Sequence, residues 1–351
     1  MTQTPSSPPA AAPRPGARAA LRAALRALAI AATLPYIALK IVWILGSRVG
    51  IPVGSPLLDH RTTMVVANGF TILMDSAVVV LALLLTRAWG RRVPTWLLVL
   101  PMWVASGLLL PIMTGYPLQL VVGLARGDGP GSGGPSFLDG WVFGVVYGGF
   151  ILQGLALGTL FALYARDRWG HLWRGALRDL PPSPTGPALR TTAAIATLLA
   201  LAPAVMHLVW ATGSTAGVAE GAIADRNHVS YVMEALNALF PVVAASGVLL
   251  LAFRRRSALP LAVPLALAWG GSAASACWGG WMSLAALATA GNPSEQTTPA
   301  MMLTYGVQML LGALVVTLGG HFLSERAAVA PVRPPGRPRA TPAARPSGAR
   351  A

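Results

Sequence analysis

Eight stretches of the chain are long and apolar enough to cross a bilayer, and this pattern restricts the fold more than any other feature. The stretches are 28–46, 63–86, 95–113, 138–165, 191–212, 229–253, 259–288 and 300–323. A hydrocarbon core about 30 Å thick requires roughly 20 such residues in a helix. Barrel strands would instead show short alternating segments, so we predict an all-α, polytopic integral membrane protein with eight transmembrane helices.

The composition excludes a soluble protein and a disulfide-rich secreted domain. Charged residues make up 11% of the 351 residues and apolar residues 54%, whereas soluble proteins contain about 25% charged residues. So few charged side chains could not cover a soluble surface. Cys277 is the only cysteine, so the chain cannot form an internal disulfide.

The distribution of arginine predicts the orientation of the helices. Of the arginines, 21 lie in the two terminal segments and in the three loops on the same side as the termini, and 4 lie on the other side. Because basic residues concentrate on the cytoplasmic side, both termini are predicted to be cytoplasmic. Anionic lipid headgroups then explain the net charge of +15. No nucleic-acid motif accompanies that charge. The bias toward arginine, alanine, proline and glycine indicates the cytoplasmic membrane of a bacterium with a GC-rich genome.

The segments outside the spans divide the chain into two membrane domains, 28–165 and 191–323. Residues 1–27 are predicted to be a disordered, basic cytoplasmic segment whose last part could extend the first helix. Between the domains, 166–190 is predicted to contain an amphipathic interfacial helix and a proline-rich linker. Residues 324–351 are predicted to be a disordered cytoplasmic tail rich in arginine and proline.

The two membrane domains resemble each other in sequence. Matches of leucine or alanine are common by chance in lipid-facing helices, so only rarer residue types support a repeat. Such matches recur at a nearly constant offset of 167, 166 or 158 positions: Trp43–Trp210, Pro94–Pro260, Trp103–Trp269 and Tyr147–Tyr305. We therefore predict two parallel four-helix repeats related by a pseudo-two-fold axis along the membrane normal, as in one class of transporters.

Polar residues inside the spans are the candidates for a binding site, because ionisable groups in a bilayer are costly. The candidate ligand-binding residues are Lys40, Asn68, Asp75, His207, Glu234 and Asn237. They could line a polar cavity in the outer third of the membrane, or they could only hold the helices together by hydrogen bonds. Their depths predict an ion pair between Lys40 and Glu234.

A second group of polar residues precedes two of the spans. Two aspartates and two histidines occupy symmetric positions and could bind zinc: Asp59, His60, Asp225 and His228. The more ordinary interpretation is that the aspartates cap helix N-termini. No cofactor is predicted, since the chain has no HExxH, GxSxG or Walker motif.

Three functions are compatible with these patterns. The preferred interpretation is a transporter-like protein that binds a small polar ligand between the repeats, and a water-filled cavity would favour it. An enzyme acting on a lipid-linked substrate, with His207 and Glu234 as acid–base groups, would need a lateral groove that reaches His207. A non-catalytic assembly or regulatory protein would have a dry, fully packed polar layer.

Overall fold

The fold is entirely helical in the part of the chain that the computed structural model describes, residues 15–58, 61–127, 138–183, 185–253, 257–288 and 296–329. These residues form nine α-helices and no strand apart from one isolated bridge, Ala176–Pro260. The helices are α1 (Pro15–Ile44), α2 (Arg61–Thr86), α3 (Thr95–Arg126), α4 (Gly140–Trp169), α5 (Gly186–Ala211), α6 (Glu220–Ala224), α7 (His228–Phe253), α8 (Ala262–Ala288) and α9 (Pro299–Val329).

Seven of these helices, α1 to α5, α7 and α9, are long and apolar enough to cross a membrane. The predicted class, a multi-pass helical membrane protein, is therefore confirmed. Helix α8 has 27 residues, enough to span a bilayer, but it is not among these seven. The eighth crossing stays a prediction.

Several helices extend beyond the predicted spans. Helix α1 begins at Pro15, so the last part of the segment 1–27 extends the first helix. Helix α3 continues to Arg126, and α9 continues to Val329, six residues into the predicted tail. The apolar pattern marks only the part of a helix that lies in hydrocarbon, whereas the backbone hydrogen bonds continue into the polar headgroup region.

The segment 166–190 does not form the predicted interfacial helix. Between α4 and α5 the chain makes two short 3-10 turns, at 170–172 and 177–179. The N–H of Leu177 donates to the carbonyl oxygen of Leu259 at 3.0 Å. The Leu177 side chain is buried in the core of the second half. The apolar residues of this segment therefore cover the end of the helix bundle instead of facing lipid.

The helices of the two halves pack in the same order. In the first half, α1 packs against α2 and α4, and α3 packs against α4; in the second half, α5 packs against α7 and α9, and α8 packs against α9. The halves meet at α3, which packs against α7 and α8. We call the end of the bundle where α1 begins the arginine-rich end, and the other the opposite end.

The same turn follows α1 and α5. Gly46 and Gly213, which are 167 positions apart, both have positive φ angles, 95° and 97°. The indole of Trp43 donates to the carbonyl of Val49 at 2.7 Å, and the indole of Trp210 donates to that of Ala216 at 2.9 Å. The offset that aligns the two sequences thus also aligns two pieces of backbone with matching hydrogen bonds.

The crossing of α3 and α8 brings together residues that occupy matching positions in the predicted repeats. A Cβ atom on Gly107 would collide with the carbonyl oxygen of Ala273, the residue 166 positions later. On either side of this contact each half inserts a tryptophan into the other. Trp103 donates to the hydroxyl of Ser272 at 3.2 Å, and Trp269 stacks on Phe161 of α4.

The halves differ in how closely their second and third helices approach. Gly247 and Gly271 let α7 and α8 pack closely, since a Cβ on either glycine would lie 2.7 Å from a carbonyl oxygen of the other helix. The positions 166 residues earlier carry Leu81 and Ala105. Helix α2 accordingly packs on α1 and α4 and touches α3 only loosely. A cavity lies beside α2.

Candidate binding cavity between the two halves

A cavity of about 900 Å³ lies between the two halves. Its walls come from α1, α2, α3 and α4 on one side and from α5, α7, α8 and α9 on the other. It extends from Asn227 and Ser230 at the opposite end to Leu81 and Leu100, toward the arginine-rich end. Most lining residues are apolar, so a bound ligand would meet polar groups at only a few places.

The largest polar cluster in this cavity is centred on His207, whose side chain is almost fully buried. Its Nδ1 lies 2.5 Å from a carboxylate oxygen of Glu234, and its Nε2 lies 3.0 Å from the amide nitrogen of Gln308. An amide nitrogen can only donate, so Nε2 accepts and the ring proton is on Nδ1, where it donates to the carboxylate. Trp210 packs edge-on against the imidazole.

The geometry of this cluster presents Glu234, and not His207, to a ligand. The Glu234 side chain is 29% exposed and lines the cavity beside the buried Tyr305. A carboxylate accepts hydrogen bonds from ammonium or hydroxyl groups. Both ring nitrogens of His207 are already bonded to protein, so neither is free to act as a general base toward a ligand.

A second polar group lies on the wall of the first half. Asp75, on α2, accepts a hydrogen bond of 3.3 Å from the amide nitrogen of Gln153 on α4. The amide oxygen of Gln153 is buried and has no partner among the described residues. An unsatisfied buried acceptor costs about 1–3 kcal/mol. A ligand that donates a hydrogen bond to Gln153 would remove this cost.

Lys40 does not form the predicted ion pair with Glu234. Its ammonium lies 4.8 Å from the ring centre of Tyr36 and 4.9 Å from that of Trp43. Glu234 is bonded to His207 instead, and Asp75 is the carboxylate whose charge acts on Lys40. Lys40 is outside the cavity wall. In the described part of the chain, the lining contains two carboxylates and no lysine or arginine.

The other two candidate residues have different positions. Asn237 lines the cavity one helical turn from Glu234, whereas Asn68 is buried on α2 outside the lining. Four of the six candidates therefore meet at the cavity, and Lys40 and Asn68 do not. The sequence reasoning missed Tyr305 and Trp281 as lining residues. Tyr305 matches Tyr147 in the predicted repeat, but aromatic residues in such helices are ordinarily packing or interfacial residues.

The residues that could have formed a zinc site are only partly described, since Asp59 and His60 lie outside the described residues. Within 15–58, 61–127 and the later described ranges, no group of three or more His, Cys, Asp or Glu side chains could hold a metal ion. Asp225 does not cap α7. Because α7 begins at His228, the cap is Asn227, whose Oδ1 accepts hydrogen bonds from the N–H groups of Val229 and Ser230.

No family model, no curated protein and no solved structure matches the chain. The composition and geometry of the cavity are therefore the basis on which a function has to be argued.

Proposed function

We propose that the protein is transporter-like and binds its ligand in the cavity between two parallel four-helix halves. The observation that carries this proposal is a single cavity to which both halves contribute polar groups. Asp75 and Gln153 come from the first half, and Glu234 and His207 come from the second. In transporters built from repeats, the ligand site lies at the repeat interface, where a movement of one half against the other opens it to either side.

The shared geometry of the two halves supports a duplication. The turns closed by Trp43 and Trp210 have the same hydrogen bonds, and the equivalent residues Gly107 and Ala273 contact each other at the α3–α8 crossing. Helix α8 is the counterpart of the membrane-spanning α3 and crosses it closely, which supports α8 as the eighth span. Eight spans put both termini on the arginine-rich side, the cytoplasmic side by the positive-inside rule.

The two alternative functions are less well supported. A lateral groove does border the cavity that His207 lines, as the enzyme would require. An enzyme using His207 as its acid–base group would also need a free ring nitrogen, and both are bonded, to Glu234 and to Gln308. A purely structural or regulatory role predicts a dry, packed polar layer, whereas the layer borders a cavity of about 900 Å³. Ligand binding without chemistry fits the geometry better than either.

Thiol labelling from each side of the membrane tests this proposal. In a Cys277→Ala background, Leu100→Cys places a thiol on the cavity wall toward the arginine-rich end, and Leu97→Cys places a matched thiol on α3 outside the cavity. The two side chains are similarly exposed, Leu100 at 51% and Leu97 at 43%. We expect a charged, membrane-impermeant methanethiosulfonate to label Leu100→Cys from both sides and Leu97→Cys from neither. Val53→Cys, at the exposed opposite end, should react only from outside and reports vesicle orientation.

The result that would overturn the transporter-like proposal is access to Leu100→Cys from one side only, in vesicles of both orientations. The cavity would then be a fixed pocket. Labelling of Val53→Cys from the cytoplasm would instead overturn the assigned orientation.

A further inference from the structure

Two seams between the halves are related by the repeat but packed differently. At the α3–α7 seam, a Cβ on Gly115 would lie 2.9 Å from the sulfur of Met233 and 3.3 Å from a methyl of Leu236, so the helices are in close contact. At the α2–α8 seam, the positions equivalent to Leu236 and Gly115 carry Phe70 and Trp281. Their rings stack with centres 6.5 Å apart. The α3–α7 seam thus pairs a glycine with a leucine, whereas the α2–α8 seam pairs two large aromatic rings.

The α2–α8 seam is correspondingly open. Helix α2 does not pack against α8 or α9 in the way that α3 packs against α7. An apolar groove of about 600 Å³ lies there, with walls from α2, α3, α8 and α9 in the described chain. Side chains at its rim are exposed on the lipid-facing surface, among them Phe70 at 46%, Leu284 at 54% and Leu287 at 72%.

The groove shares part of its wall with the central cavity. Met74, Leu108 and Trp281 line both spaces. Met74 precedes Asp75, the buried carboxylate of the first half. Only side chains such as Met74 and Trp281 separate the groove from the cavity, so their displacement would give an apolar chain a path from the bilayer to the polar groups of the cavity.

We propose that the α2–α8 seam is a lateral opening to the bilayer and that the ligand is a single-chain amphiphile with an amine headgroup. The alkyl chain lies in the groove, and the ammonium group lies between Asp75 and Glu234. This inference rests on the proposed function, because it names the ligand class of the same cavity.

The charges of the cavity select this headgroup over an anionic one. The described lining has two carboxylates and no lysine or arginine, so a phosphate or carboxylate headgroup would be repelled. The buried amide oxygen of Gln153 has no donor among the residues that the structure describes, and it can accept from an ammonium N–H. A cavity of about 900 Å³ is of the size that encloses a small molecule.

Photolabelling of the full chain in phosphatidylcholine nanodiscs tests the inference. The probe is hexadecylamine with a diazirine in its chain, and the matched probe is the carboxylate with the same chain and diazirine. After irradiation, mass spectrometry maps the labelled residues. We expect the amine to label groove residues, including Met74 and Leu108, about tenfold more than the carboxylate does.

The double variant Phe70→Leu/Trp281→Gly gives the open α2–α8 seam the residue types found at Leu236 and Gly115 in the closed α3–α7 seam. It should lose most of the groove labelling by the amine. Trp96→Gly removes an exposed indole away from both spaces and should leave labelling unchanged. If the double variant does not fold, Asp75→Asn and Glu234→Gln serve separately, since each should lower labelling by the amine and not by the carboxylate.

Three outcomes would overturn the inference. Equal labelling of the groove by both probes would show that the site does not select an amine headgroup. Unchanged labelling in the folded double variant would show that the α2–α8 seam is not the lateral opening. Labelling spread evenly over lipid-facing residues such as Leu198 would show that the probe has no specific site. These outcomes are separable from failure of the proposed function. Two-sided access to Leu100→Cys tests movement of the halves, and photolabelling tests only what the cavity binds.

Discussion

The imidazole of His207 and the carboxylate of Glu234 face each other from α5 and α7 at 2.5 Å, and Gln308 holds the far side of the ring. Three helices of one half are thereby joined through one side chain. The carboxylate that remains partly exposed points into the cavity.

This arrangement predicts energetic coupling between His207 and Glu234. His207→Leu alone should lower stability by about 1–3 kcal/mol, because it leaves both Glu234 and the amide of Gln308 without a partner. Adding Glu234→Leu should recover part of the loss, since the unpaired carboxylate is then gone. Thermal unfolding in detergent of both single variants and the double variant measures the coupling. Additive losses would show that the two side chains do not interact.

Lys40 and Glu234, in contrast, should not be coupled. Lys40→Met removes a cation from between the rings of Tyr36 and Trp43, an interaction worth about 0.5–2 kcal/mol. Because Glu234 is paired with His207, the losses from Lys40→Met and Glu234→Gln should add in the double variant. The same detergent unfolding assay applies. Recovery of stability in the double variant would mean that Lys40 reaches Glu234 after all.

The α3–α8 crossing should not tolerate one additional carbon atom. Gly107→Ala places a Cβ against the carbonyl oxygen of Ala273 and should cost about 1–3 kcal/mol of stability. The control is Gly158→Ala on α4, where a Cβ meets nothing within 4 Å. There the higher helix propensity of alanine should raise stability by up to about 1 kcal/mol. Equal effects of the two substitutions would contradict the close crossing.

The helices could be predicted from sequence because hydropathy reports directly on the bilayer. The sequence match of Trp43 with Trp210, at an offset of 167, lies just before the turns at Gly46 and Gly213. The partner of Lys40 could not be predicted, since depth along a helix leaves its rotation about the axis open, and rotation decides which neighbour a side chain meets. The segment 166–190 was misassigned because an apolar face can pack on protein as well as on lipid.

The open seams beside α2 could not be predicted from the sequence of any one helix. Leu81 and Ala105 are ordinary residues for a membrane helix, and only their comparison with Gly247 and Gly271 indicates that two helices are held apart. Phe70 and Trp281 are informative in the same way, by comparison with Leu236 and Gly115.

The glycine contacts of the second half make the α7–α8 pair more rigid than the contacts of α2. Helices α7 and α8, fastened along Gly247 and Gly271, form a stiff frame whose relative position cannot change without breaking backbone contacts. Helix α2 packs mainly against α1 and α4 and touches α3 loosely. A tilt of α2 would leave the frame undisturbed, and it would change both the width of the α2–α8 seam beside Trp281 and the distance between Asp75 and Glu234. Helix α2 would then control both the opening of the cavity to the bilayer and the spacing of the two carboxylates that bind the ligand.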